Sequence, residues 1–139
     1  MIRPPTEQEE HDLVVAASAT TYQSYAQQGY LVSTNPGSLL HHDVGNGHFP
    51  DVVVWKPSGE YGKTYIIEEV ETESTVNDEF KHKEWHRLAQ IGGTFYLVVP
   101  RHLIPLARSI VEQQKIAVDM VQGYYFDREH RVHFTTGER

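Results

Sequence analysis

The chain has 139 residues, 39% hydrophobic and 22% charged, a size that fits one domain, residues 1–139, burying ~65–70% of its unfolded surface. It has no cysteine, which excludes a disulfide framework and a thiolate zinc site. The net charge of −7 argues against a general nucleic-acid coat protein, which would present a basic face. It leaves a nuclease open, because acidic metal ligands contribute to that total and a bound divalent cation reverses the local sign.

No run approaches the ~18 apolar residues of a membrane span. Met1-Ile2-Arg3-Pro4-Pro5 followed by acids does not read as a signal peptide, so no membrane partner and a cytoplasmic location are expected.

In chain order, Thr6 to about Gln28 predicts a helix, with the capping-box spacing Thr6-Glu7-Gln8-Glu9 at its start and Gly29 as its stop. Leu13, Val14, Ala17 and Tyr25 are its expected buried face, and Glu10 shares it through i+3 and i+4 spacing. Tyr30–Ser33 reads as a short strand, and Leu39–Val44 as a second extended stretch before the turn Gly45-Asn46-Gly47. Asp51–Trp55 and Thr64–Ile67 running into Glu68-Glu69-Val70-Glu71 read as a hairpin of central strands around the loop at residues 57–62. A second helix starts at Ser74 or Asn77, runs to about Ile91 and stops at Gly92-Gly93. Thr94–Val99 is a buried strand closed by Pro100, and Leu103–Gln114 a third helix. Ile116–Phe126 is a strand with Gln122-Gly123 as a candidate bulge, and Arg131–Phe134 a last short strand after a turn. The order predicts a mixed α/β fold, a sheet flanked by helices.

A symmetric hairpin with Lys56 opposite Thr64 gives paired positions a constant sum, which sets Asp51 across from Glu69, their β-carbons ~5 Å apart. Glu71 then shares the face of Glu69, and Glu68 points to the other. Carboxylates this close repel one another unless a cation or proton neutralises them. Hard oxygen donors suit Mg²⁺ or Mn²⁺, which could polarise a phosphodiester and activate a water.

Pro50-Asp51, an apolar strand, a turn, and Ile66-Ile67-Glu68-Glu69-Val70-Glu71 resemble the PD-(D/E)xK, or restriction-endonuclease-like, nuclease superfamily. The α-β-β-β-α-β order from about Thr6 to Pro100 is similar to that superfamily's core, here followed by a helix and a β-hairpin. The resemblance implies Asp51, Glu69 and the Val70 carbonyl as metal ligands, with Glu10 on the first helix as an auxiliary one. It implies a Mg²⁺- or Mn²⁺-dependent nuclease acting on DNA, as a homodimer or a subunit of a larger complex. The superfamily's lysine position is occupied by Glu71, which is then a ligand or general base. Alternatively a lysine from the following helix, Lys81 or Lys83, takes over, or the site is vestigial and the fold serves as a binding or scaffolding module.

Lys81, Arg87 and His48 are the candidate nucleic-acid contacts, with Trp85 nearby and Gln90 on the same helix. His82 and His86, one helical turn apart, have a spacing that can hold Zn²⁺, but surface histidines are the simpler reading for them and for His41 and His42. Tyr124, Tyr125 and Phe126 read as core or interface residues, with base stacking as the alternative. Arg101 and His102 follow Pro100 at a strand's C-terminal end, where α/β sites gather. No nucleophile elbow, Walker loop or dinucleotide fingerprint is present.

Overall fold

The computed structural model describes residues 3–35, 50–56 and 63–135. The stretch Leu39–Val44, the turn after it, the loop at 57–62, and His41, His42 and His48 lie outside the described residues.

Helix α1 spans Pro5–Thr21 and is followed by a 3-10 helix, Gln23–Gln28. The capping box is not used. The helix starts at Pro5, where a ring without an N–H suits the first helical position, and Pro4 makes no side-chain cap. The α-helix ends seven residues before the expected Gln28, at Thr21, where hydroxyls compete for the backbone: Thr20 Oγ1 donates to Ala16 O at 3.0 Å and Thr21 Oγ1 to Ser18 O at 2.6 Å. Gly29, at φ 89°, closes the 3-10 segment.

Strands β1 (Leu31–Thr34), β2 (Val52–Lys56) and β3 (Lys63–Val70) form an antiparallel meander. Helix α2 (Glu79–Ala89) crosses to β4 (Thr94–Pro100), parallel to β3. The 3-10 turn Arg101–Leu103 and helix α3 (Ile104–Gln114) lead to β5 (Met120–Phe126), parallel to β4, and β6 (Val132–Phe134) returns antiparallel. The result is one mixed six-stranded sheet in the order β1-β2-β3-β4-β5-β6.

Apolar alternation gives the sheet two cores. On one face α1 brings Val14 and Val15 onto Val52, Val70, Val98 and Tyr124. On the other, α2 and α3 bring Trp85, Leu88, Ala107 and Ile110 onto Ile67, Phe95, Leu97 and Val99. Strands covered on both sides read as continuous apolar runs, which is why Val52–Val54 are all buried.

Helix α2 begins later than expected, because residues 73–77 form turns and Asp78 is the N-cap, its carboxylate accepting from Phe80 N at 2.9 Å. Residues 116–119 lead into β5 rather than belonging to it. Gly123 is no bulge, since β5 pairs with β4 in continuous register. A β-carbon there would stand 2.6 Å from Ile104 Cδ1 and 3.1 Å from Arg101 Cα, so the glycine admits the turn that starts α3.

Candidate functional site

The site lies where β3 ends and β2 begins. Val52 pairs with Glu68, Val53 with Ile67 and Val54 with Ile66, so the sum of 120 holds at this end and leads to Asp51 beside Glu69. At the far end Lys56 pairs with Lys63, not Thr64, because the register shifts between Val54 and Trp55. That irregularity leaves the acidic end in its expected register.

Two hydrogen bonds lock the pair: Asp51 N donates to Glu69 Oε1 at 2.9 Å, and Val70 N donates to Asp51 Oδ2 at 2.8 Å. Asn35 fixes the approach, its Nδ2 donating to Pro50 O at 2.8 Å and its N to Asp51 O at 2.9 Å. Alternation along β3 puts Glu69 and Glu71 on the α2 face and Glu68 on the α1 face. All of these acids, Asp51, Glu68, Glu69 and Glu71, are buried.

Asp51, Glu69 and Glu71 each meet a cation from elsewhere in the chain, and Glu68 does not among the described residues. His11 on α1 is 2% exposed, with Nε2 3.1 Å from Asp51 Oδ1 and Nδ1 2.9 Å from Asp12 Oδ1. Burial works against its charge, but the hydrogen bond and attraction of Asp51, with Asp12 beyond, prevail and raise its pKa. A ring facing carboxylates at both nitrogens can donate from both in its protonated form, the form that these contacts favour. Lys81 on α2 places Nζ 3.9 Å from Glu71 Oε1, 4.0 Å from Glu69 Oε2 and 3.3 Å from Glu84 Oε2. Burial opposes the ammonium, yet Glu71, Glu69 and Glu84 outweigh it and hold its pKa above the ordinary lysine value. Arg3 bonds Thr72 Oγ1 at 3.0 Å, Val70 O at 3.3 Å and Glu71 Oε1 at 3.4 Å.

Glu71 is the most enclosed of the set. Its Oε1 also accepts from Thr75 Oγ1 at 2.8 Å, and its Oε2 from the Trp85 indole at 2.8 Å. Tyr124 donates to its main-chain carbonyl at 2.9 Å. Burial raises its pKa against the pull of Lys81 and Trp85. Glu69 is raised well above the usual range by burial and by the Asp51 charge, with Lys81 opposing. Glu68, on the other face, accepts from Ser18 Oγ and, at 2.6 Å, from Tyr22 OH. Burial raises Glu68 and, together with the Glu68 charge, raises the Tyr22 phenol.

The structure thus brings Asp51, Glu69, Val70 and Glu71 together, and of the candidate lysines it delivers Lys81. Lys83 does not reach them; it is exposed, with Nζ 5.7 Å from the Phe80 ring centroid. Lys81 in turn faces carboxylates, not an open surface, so it is no simple phosphate contact. Arg87 is exposed on α2. Glu10 lines a neighbouring cleft, and the α1 side chain on Asp51 is His11. The reason is helix phase: the buried stripe is His11, Val14, Val15 and Ser18, and Leu13 is 44% exposed. That stripe has i, i+3, i+4, i+7 spacing, a signal present in the sequence. Arg3 left no such signal.

His82 and His86 do not form a zinc pair. His82 is buried, with Nε2 2.8 Å from Val76 O and Nδ1 3.2 Å from Gln114 Nε2, so both ring nitrogens are engaged. Trp85 is a core residue.

The donor set is hard oxygen: carboxylates of Asp51 and Glu69 and the Val70 carbonyl. Among the described residues no group of three or more His, Cys, Asp or Glu side chains is arranged to hold an ion jointly. Two carboxylates completed by a carbonyl and waters is nonetheless a set that Mg²⁺ accepts, since it retains several waters and rarely uses an all-protein cage. Comparison with known proteins gave no match to a family model, a curated protein or a solved structure.

Proposed function

We propose that the protein is a metal-dependent phosphodiesterase of restriction-endonuclease-like fold, acting on DNA. The observation that carries this reading is the convergence of Asp51, Glu69 and Lys81 at one strand end, the lysine arriving from α2 in place of the residue two after the acid. The α1, β1-β2-β3 meander, α2, β4 order with β4 parallel to β3 supports it, because that is the α-β-β-β-α-β core the motif implies. Asp51, Glu69 and the Val70 carbonyl would hold Mg²⁺ or Mn²⁺, which supplies charge to the scissile phosphate and acidifies a bound water. Lys81 offers an N–H to the phosphate or to the attacking water, and Glu71, fixed by Thr75 and Trp85, positions that ammonium. A homodimer or larger assembly would extend the duplex-binding surface of a chain whose net charge is −7.

A second reading, a scaffolding module with a vestigial site, is favoured by one observation. His11, Lys81 and Arg3 already neutralise Asp51, Glu69 and Glu71, and Arg3 occupies the Val70 carbonyl. One experiment separates the two. Single-stranded, duplex and branched DNA and RNA are incubated with Mn²⁺ and wild type, Asp51→Ala or Glu69→Ala, and melting is followed with and without the ion. Cutting and a Mn²⁺-dependent rise in Tm, both lost in the variants, are expected for the nuclease. Neither effect in the wild type would leave the scaffold.

A further inference from the structure

Beside the acidic site, at the C-terminal ends of β3, β4 and β5, lies a cleft of about 290 Å³. Glu10, Arg101, Tyr125 and Phe126 line it together with Glu7, which accepts from Ser74 N, and Glu73, which is paired with His102 at 2.7 Å. Tyr124 ties it to the site through the Glu71 carbonyl. Its volume is at the low end of small-ligand pockets, which run about 300–1,000 Å³, so it suits one or two rings.

The aromatic wall is already assembled as a stack. The Arg101 guanidinium lies 4.0 Å from the Tyr125 ring centroid, and His133 stacks on Tyr125 at 5.2 Å and 16°. Arg101 follows β4 and His133 belongs to β6, so they flank the β5 tyrosine from opposite sides. The column therefore ends in an exposed planar cation at the cleft, where a further flat group can be added. Among the described residues the Arg101 N–H groups make no hydrogen bond. Glu10 is half-buried across the cleft and, among the described residues, carries no hydrogen bond or ion pair.

A guanidinium face for stacking, its N–H edge for a phosphate, and a facing carboxylate that only accepts hydrogen bonds define one ligand chemistry. We infer that the cleft is a nucleotide subsite holding one unpaired nucleobase of the bound strand, stacked on Arg101, its exocyclic amine donating to Glu10 and its phosphate on the Arg101 edge. The identity of the ligand as a nucleic-acid strand rests on the proposed phosphodiesterase function. The subsite selects single strands or extruded bases, and cytosine or adenine over thymine, which lacks the amine.

The test needs no hydrolysis. Short oligo(dC), oligo(dA), oligo(dT) and a duplex are titrated without divalent metal into ¹⁵N-labelled wild type, Glu10→Gln and Arg101→Lys. Oligo(dC) and oligo(dA) should shift the Gly123, Tyr125 and Phe126 amides and bind about tenfold more tightly than oligo(dT), the scale of one good base contact. Glu10→Gln should erase that preference. Arg101→Lys, which keeps the charge and loses the plane, should weaken every oligonucleotide about tenfold. Shifts confined to other regions, no binding, or unchanged affinity and preference in both variants would overturn the subsite, as would tetramethylammonium filling the cleft in place of oligonucleotides. Binding in the cleft by a protein that cuts nothing refutes the nuclease alone; cutting with an unshifted cleft refutes the subsite alone.

Discussion

Glu68→Gln should stabilise the protein at pH 8 by about 1–2 kcal/mol and do almost nothing near pH 4.5. Glu68 is 1% exposed and accepts from the Ser18 and Tyr22 hydroxyls, with no cation paired to it among the described residues. Desolvating a carboxylate costs several kcal/mol even after relaxation. Each hydrogen bond to a charged group returns roughly 1.5–3 kcal/mol. Two such bonds leave a deficit of about 1–2 kcal/mol, which an amide of the same shape removes while one hydroxyl turns to accept. The sign of the pH dependence follows from the raised carboxyl pKa. A folded-state pKa above the unfolded value of 4.5 favours folding below that value and loses the contribution as pH rises through the folded value. The amide carries no such dependence, so its advantage appears only on the alkaline side. Urea unfolding of both proteins at pH 4.5 and pH 8, read as midpoints with a shared slope, measures the difference. A variant less stable at pH 8, or one shifted equally at both pH values, would refute the reasoning.

On the proposed phosphodiesterase function, Lys81→Met should lower Mn²⁺-dependent cleavage about 100-fold or more, the scale of one lost charge-stabilising donor, whereas Lys83→Met should cut like wild type; equal losses from both would refute the assignment of Lys81. Gly123→Ala should destabilise the fold by about 1–3 kcal/mol through overpacking, because the methyl would meet Ile104 Cδ1 at 2.6 Å and Thr135 Oγ1 at 2.9 Å; thermal melting checks it, and an unchanged Tm would show that the turn after β4 yields freely.

What the sequence made legible was local and periodic. Pairing arithmetic places Asp51 with Glu69 because the register shift falls at the far end of the hairpin, beyond Val54. The choice between Lys81 and Lys83 was also within reach. The buried stripe of α2 is His82, Trp85 and Leu88, and Lys81 stands four residues before Trp85 at its margin, while Lys83 falls outside it. The phase of α1 was harder, since Leu13 outweighs His11 and Ser18 on any hydrophobicity count. Those polar residues are buried because the sheet offers them partners, Asp51 for His11 and Glu68 for Ser18. Arg3 sits 68 residues from Glu71, and no local pattern carries a contact of that range.

The acids also explain why the chain beyond the hairpin is arranged as it is. Unneutralised, three buried carboxylates at one strand end would oppose folding strongly. Their counter-charges come from three separate places, the segment before α1, α1 itself and α2. Each cation therefore pins a different element to the same point: Arg3 fixes the chain entry, His11 sets the rotation of α1 on one face, and Lys81 anchors the first turn of α2 on the other. Apolar packing of Val14 and Val15 or of Trp85 and Leu88 constrains how deeply the helices sit, but it tolerates sliding along a valine-rich surface better than a charge pair does. The electrostatic cost of the cluster thus becomes positional information, and the same three cations are what a metal ion or a phosphate would have to displace or recruit.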